Sequence, residues 1–480
     1  MTFIIYSRKK MGIYDFSELP EVVWVKIMCS LNTADRFRVS CTCRMLNHIF
    51  YHPTIWSKAT ICMLSEDRLK KILPVTITKK PVQLTRKFGS YFQDLTLRLI
   101  GFIQVIPKDC LCVLDELNKN HRLEKLTLEV GSNSSHRNRH GISTVTPGHD
   151  DLTAFAGLVR NASCLKSFTL AFWPRFVEQT TLDILEELVS NPCLKRLEEL
   201  SLYWLNPMQS TWTLNNIPLP SPTRVQTLVH HFSNLLILRL RSIMLDDDVM
   251  LALSQPDRRP LQCLSILVTY TREEKITSIK TVSAEAWKRL KKFSPDIKID
   301  FTIMTQVPYI ELAALLKPEI PLTAICFMRH SRCTDSTISS LTNKYRCTLK
   351  KFIDYTDSTG CDSYVLSMAE ECEQLDYLVY NGSLKQTTVM SLAQVKGKQW
   401  LRFGVNIDNV ITAVPQRSND NEDDDDDIIL KMTNGGHYST PIMRYCESEE
   451  DNMQSVRLLT ENLKQYLGYR WQPFTQKLFS

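Results

Sequence analysis

Cysteines and histidines are the residues of this chain whose spacing comes nearest to chemistry. His136 and His140 stand four apart, a spacing zinc ligands use, with Cys110 and Cys112 upstream. Cys-x-Cys is not the standard zinc pairing, however, and both histidines fall in the polar run from Gly131 to His140, so two solvated histidines and two core cysteines are expected. Cys41, Cys43 and His48 suggest a thiol nucleophile, but nucleophilic catalysis needs a base and an orienting group, and no residues can be assigned to those roles. His230-His231 reads as a helix end. Calcium loops alternate their ligands around a sharp turn, which the unbroken run Asp423 to Asp427 does not do. With 14 glycines and no Gly-rich phosphate loop, nucleotide chemistry is not expected either. The expectation is no catalytic residue, no metal and no cofactor: a protein that is not an enzyme.

What remains is a binding function, and the bulk properties narrow it. Of 480 residues, 43% are hydrophobic and 23% charged, the balance of a folded protein. The net charge of +6 comes without a basic stripe carrying interleaved aromatics, so nucleic acid is not expected as a partner. No apolar run approaches the roughly 20 residues that span a bilayer, and Phe3 to Tyr6 is too short for a secretory signal core, so no membrane partner is expected. Fifteen dispersed cysteines fit reduced thiols, and a cytoplasmic or nuclear location is expected.

The N-terminal segment is the most sharply patterned. Leu19, Val23, Ile27 and Leu31 recur every four residues and form one apolar helical stripe. Ser17 can cap this helix, and Pro20 is tolerated in its first turn, where a missing N–H costs nothing. Asn32 or Thr33, followed by Asp35, offers a second cap before Phe37 and Val39, and a third short helix runs through Cys43, Leu46, Ile49 and Phe50. Three short helices cannot hide this much apolar surface. Each large side chain left exposed forgoes about 1.5–3 kcal/mol, so a partner or the following domain must cover them.

Leu19-Pro20, Ile27, Leu31, Asp35, Ser40, Cys43-Arg44 and Ile55-Trp56 stand at F-box spacing, and the segment resembles an F-box. Departures are Arg36 and Thr42 at usually apolar positions, and Leu46 where tryptophan is frequent. The resemblance implies that Leu19, Pro20, Val23, Ile27, Leu31 and Val39 face a Skp-type adaptor, and through it a cullin scaffold, while Trp56 packs toward the next domain.

Downstream a pattern of apolar, two variable, apolar, one variable, apolar returns. It stands at Phe92-Leu95-Leu97, Leu123-Leu126-Leu128, Leu165-Phe168-Leu170, Leu197-Leu200-Leu202, Leu235-Leu238-Leu240 and Leu261-Leu264-Ile266. It continues near Ile297-Ile299-Phe301, at Leu322-Ile325-Phe327, less well at Leu349-Phe352, then at Leu375-Leu378-Tyr380 and Trp400-Phe403-Val405. The last four starts are 27, 26 and 25 residues apart, within the leucine-rich-repeat period of about 20–29, whereas earlier spacings of 31, 42, 32, 38 and 26 imply insertions. Each unit supplies a short strand, and segments such as Thr181–Val189 supply helices between them. The asparagine that many such repeats place after the strand is mostly missing, so irregular returns are expected.

The expected fold is therefore α/β: a three-helix F-box, then an irregular leucine-rich-repeat solenoid with a curved parallel sheet. The expected division is F-box 14–60, connecting segment 61–87, repeats 88–412, acidic linker or loop 413–450 and C-terminal helical cap 451–480. Residues 131–150 and Pro207 to Thr223 read as loops. Together the parts resemble F-box only and F-box leucine-rich-repeat proteins, with Lys87-Phe88-Gly89-Ser90-Tyr91, Ala286-Trp287-Lys288-Arg289-Leu290 and Pro318-Glu319-Ile320-Pro321-Leu322 adding to the likeness. That implies a substrate-recognition subunit of a Skp–cullin–F-box ubiquitin ligase, holding an unknown protein substrate at variable strand positions such as Arg98, Glu129, Arg239, Arg241 and Thr269. Alternatives are a non-degradative F-box scaffold and a repeat module unrelated to ubiquitin.

Overall fold

The computed structural model describes residues 19–64, 79–100, 108–131, 156–170, 184–203, 220–269, 281–406, 409–411, 459–464 and 466–467. The zinc-like histidines, Ser17, the acidic run and the loop expected at 131–150, apart from Gly131, lie outside them. The chain divides into two compact units, residues 1–305 with 314–321, and residues 306–313 with 322–480.

The first unit begins with α1 (Glu21–Ser30), α2 (Thr33–Ser40) and α3 (Arg44–Phe50), followed by a 3-10 turn, Pro53–Trp56. Of the two candidate caps for α2, Asn32 takes the role: its Oδ1 accepts from the Asp35 amide at 2.9 Å, and its Nδ2 donates to Asp35 Oδ2 at 2.7 Å. Cys43 caps α3, its Sγ accepting from the Leu46 amide at 3.5 Å. This cysteine is spent on local structure.

Eight strands then pair in parallel, each hydrogen-bonded to its sequence neighbours: β1 (Lys58–Leu64), β2 (Asp94–Ile100), β3 (Lys125–Gly131), β4 (Ser167–Leu170), β5 (Glu199–Ser201), β6 (Ile237–Arg241), β7 (Cys263–Val268) and β8 (Lys298–Ile303). In the second unit β9 (Leu322–Phe327), β10 (Lys351–Asp354), β11 (Tyr377–Tyr380) and β13 (Arg402–Val405) pair in parallel, and β12 (Leu384–Lys385) pairs with β14 (Val410–Ile411). Parallel neighbours require a crossover, and helices such as Pro222–His231, Ala284–Phe293 and Asp362–Glu371 supply it. The architecture is the expected one, a helical F-box followed by a solenoid-like series of parallel strands and helices.

Every expected first position from Phe92 to Trp400 is buried, as is every second position from Leu95 to Phe403. The first anchors the turn into the strand, and the second faces the helices. At the unit that matched less well, Leu349-Phe352, the third position is Asp354, buried where the other units carry an aliphatic or aromatic side chain.

Two expectations need correction. The F-box boundary expected at 60 falls inside β1, which pairs with β2 from Lys58 to Leu64, and the connecting segment 61–87 holds the rest of that strand and most of the helix Lys79–Phe88. The loop expected through Thr223 ends earlier, because Ser221 accepts from the Arg224 amide at 3.3 Å and caps a helix beginning at Pro222. Proline at that first helical position gives up no hydrogen bond, and a Pro-rich run therefore disguised a helix start. Within the expected C-terminal cap, residues 459–464 are helical with Leu459 and Leu463 buried.

Candidate functional site

Two faces of α1 do different work. Val25 and Met28, three residues apart, turn into the bundle and are buried. The stripe read from the sequence turns the other way. Ile27 is 37% exposed, Pro20 is exposed, and Leu19, Val23 and Leu31 are only half-buried. On α2, Val39 is half-buried. The structure adds two residues that the periodicity did not single out, Val22 at 61% and Phe37 at 62% exposure. A helical period identifies an apolar face but not whether it is the face the chain itself covers.

The bundle is held by Arg36, which stands where the F-box pattern is usually apolar. Its guanidinium is buried, and all its hydrogen bonds go to backbone carbonyls: Nε to Met28 at 3.0 Å and Leu31 at 2.9 Å, Nη2 to Cys29 at 3.1 Å, and Nη1 to Ile55 at 2.7 Å. Three of those carbonyls close the C-terminal end of α1, where the helix leaves acceptors unpaired and a partial negative charge. The cation also lies 5.7 Å from the Trp56 ring. Burial lowers its pKa from the ordinary arginine value. What looked like a flaw in the pattern is a clamp between α1 and the 3-10 turn.

Trp56 joins the bundle to the strands. It is buried, stacks on Phe88 with centroids 4.1 Å apart and planes at 10°, meets Phe50 edge-on at 5.0 Å, and donates from Nε1 to the Phe50 carbonyl at 2.7 Å. Lys87 donates to Tyr51 Oη at 2.9 Å on the same side. The outward stripe is thereby carried on a base tied to the start of β2, since Ser57 O accepts from the Gln93 and Asp94 amides at 2.7 and 2.8 Å.

The residues expected to contact a substrate do not share one environment. Arg98 is half-buried, and the Glu129 side chain lies outside the described residues. Arg239 is ion-paired with Glu199, whose other oxygen accepts from Ser167 Oγ at 2.8 Å. Arg241 is 2% exposed and donates from Nε to Thr269 Oγ1 at 2.9 Å, with Thr269 itself buried. These two partner each other inside the fold, because a parallel sheet lays the end of β6 beside the end of β7 and leaves them little solvent.

Burial acts on several of the described thiols and on one histidine. Cys263, Cys326, Cys333, Cys361 and Cys372 all have pKa values raised by burial, which disfavours the thiolate a nucleophile needs. His231 ends the helix Pro222–His231, and burial together with Lys195 lowers its pKa.

Residues 16–58 match the F-box domain family, so the N-terminal segment is an F-box domain. The chain is 23% identical over 439 residues to mouse (Mus musculus) F-box only protein 33, covering 79% of this chain and 74% of that one. The human (Homo sapiens) protein of that name is 22% identical over 430 residues, covering 79% and 75%. Mouse F-box/LRR-repeat protein 21 is 24% identical over 319 residues, covering 66% of each. A solved chain described as "Crystal structure of TLR13-ssRNA13 complex" aligns with 66% of this chain and 46% of its own, at 13% identity and a TM-score of 0.31.

Proposed function

We propose that this F-box protein is the substrate-recognition subunit of a Skp–cullin–F-box ubiquitin ligase, its F-box docking on a Skp-type adaptor and its repeats holding a protein substrate. F-box domains generally bind such adaptors, and the proteins that carry them are typically non-catalytic recognition subunits of these ligases. The observation that carries the reading is the outward apolar surface of α1 and α2, where Val22, Ile27 and Phe37 are exposed beside Pro20. Apolar side chains left exposed on two neighbouring helices are costly to leave in water and favour a partner surface.

The mechanism is positional. Tethering a substrate to the scaffold that carries a charged conjugating enzyme raises its effective concentration and fixes its approach. The transferring cysteine belongs to another protein, and this chain works in the cytoplasm or the nucleus, where those partners would be met.

The test is capture of purified Skp-type adaptor by the full chain. Ile27→Asp, and separately Leu19→Asp with Pro20→Ala, place a carboxylate in the apolar contact and weaken capture by about a hundredfold, some 3 kcal/mol. Thermal unfolding of both variants stays close to that of the parent, because these side chains are not in the bundle core. Capture of adaptor at parental strength by both variants would remove the adaptor reading. Ubiquitination of a bound partner by the reconstituted complex separates a degradative receptor from a scaffold.

A further inference from the structure

The solvent side of the second unit's sheet is unlike that of the first. Alternation along β10, β11 and β13 sends Phe352, Leu378 and Phe403 to the helix side, where they are buried, and Lys351, Tyr377 and Arg402 to the other. Register sets Ala324, Lys351, Tyr377 and Arg402 in one row across β9, β10, β11 and β13, with Cys326, Ile353, Val379 and Gly404 in the next. Lys351 Nζ lies 4.4 Å from the Tyr377 ring centroid and Arg402 Cζ 5.6 Å from it. Ile353 and Val379 form a small buried cluster, and Cys326, Tyr355 and Tyr377, packed against it, are half-buried and present the accessible surface there.

Charge distinguishes the two sheets. In the first unit, Lys58 is paired with Asp94 at 3.5 Å, and Arg239 is paired with Glu199. In the second unit neither Lys351 nor Arg402 forms an ion pair with a described residue. Asp354, the acid within the four strands, lies an odd number of positions from Lys351 and so on the helix side, buried. Asp376 precedes Tyr377 and lies near Lys396. Two cations are thus held over one ring, beside a buried apolar cluster, with no described carboxylate to neutralise them. Such a face favours a negatively charged partner, and its apolar surroundings strengthen the attraction relative to open solvent.

We propose that this face receives an extended segment of a partner protein in which Asp or Glu carboxylates are interspersed with apolar side chains, the carboxylates pairing with Lys351 and Arg402 and the apolar groups resting on the half-buried rings of Tyr355 and Tyr377. The proposal rests on the substrate-receptor reading and narrows its substrate class. Arg402 offers a planar fork suited to a carboxylate, and Lys351 a mobile point charge. Both are positioned by Tyr377 before a ligand arrives, which reduces the ordering cost of binding.

The experiment selects a random-peptide phage library on the immobilised full chain and measures the enriched peptides by fluorescence anisotropy. The expected result is enrichment of sequences that combine acidic and apolar residues. Replacing the acids by their amides in the strongest peptide weakens binding at least about tenfold. Lys351→Ala with Arg402→Ala weakens it equally, Arg402→Glu at its exposed site does so alone, and Lys298→Ala on β8 leaves it unchanged. Failure of any peptide to enrich, enrichment without acids, or parental binding by the folded double variant and by Arg402→Glu would overturn the proposal. Binding that emerges only when residues 420–427 are deleted would assign the face to the chain's own acidic run and also overturn it. Adaptor capture, measured on the same protein, keeps the two readings apart: peptide binding without adaptor capture defeats the ligase reading alone, and the reverse outcome defeats this one alone.

Discussion

Asp354 occupies the strand position that the other units give to an aliphatic or aromatic side chain, and its surroundings explain how a carboxyl survives there. Oδ1 accepts from the Thr356 amide and Oδ2 from Ser358 Oγ, each at 2.9 Å, while Ser358 Oγ and Tyr380 Oη share a hydrogen bond of the same length. Desolvation is the largest influence on the acid and pushes its pKa up to about 6, against the lowering effect of those donors. A carboxyl that titrates near 6 when folded and 3.8 when unfolded binds more protons in the folded state between those values. Its contribution to stability therefore falls as pH rises through that window, and the full loss, on the order of 3 kcal/mol, persists above it. Asp354→Asn keeps an acceptor for Thr356 and a group that can hydrogen-bond with Ser358, yet cannot ionise. Urea unfolding from pH 4 to 8 should show the variant gaining on the parent as pH rises through 4 to 6 and holding its lead above that. A difference between the two that does not change with pH would refute this account of the acid.

Between elements, a recurring tie holds one unit to the next. Asn191 is buried, and its Nδ2 donates to the carbonyls of Val159 at 2.9 Å, Arg160 at 3.0 Å and Ala162 at 2.8 Å, while its Oδ1 accepts from the Cys193 amide at 3.0 Å. Asn120 does the same for the carbonyls of Gly89 and Phe92, Arg258 for Val229, and Lys396 for Cys372, Glu373 and Leu375. The chemistry is constant, a donor supplied to carbonyls at or just past a helix end, but the residue type is not. Asn191→Ala should lower stability by about 2–3 kcal/mol, because several buried carbonyls lose their donor together. Asn191→Asp should cost more, since a carboxylate has only acceptors to offer those carbonyls. Calorimetry of the two variants decides it: Asp melting at or above Ala would mean that the tie is not what the side chain contributes.

At the scale of the whole molecule, β1 to β8 pair each with the strand before and after it in the chain, as do β9 to β11, so energetic coupling should run along the chain and fade with distance. Leu126→Ala on β3, at a fully buried site, should cost about 2–5 kcal/mol. Hydrogen exchange should then quicken in β2, β3 and β4 and change least in β7 and β8; equal acceleration in all eight strands would show one cooperative unit instead. The F-box helices, the parallel strands and the buried position of each repeat's first residue were legible in the sequence, because helical and strand periods and the apolar positions they repeat are local properties of the chain. Less regular returns were legible only as irregularity: their ties are made by asparagine, arginine or lysine, and no single letter repeats. Sequence could also name the α1 stripe without saying that Val25 and Met28, not Ile27, face the core, since a period fixes a face but not what packs on it. Arg36 read as a defect until folding brought the carbonyls of Met28, Cys29, Leu31 and Ile55 around it. Arg241 and Thr269 read as open surface until register laid them together. Local pattern determines the elements; burial, pairing and the fate of each charge depend on residues distant in the chain, and only the tertiary structure brings those into contact.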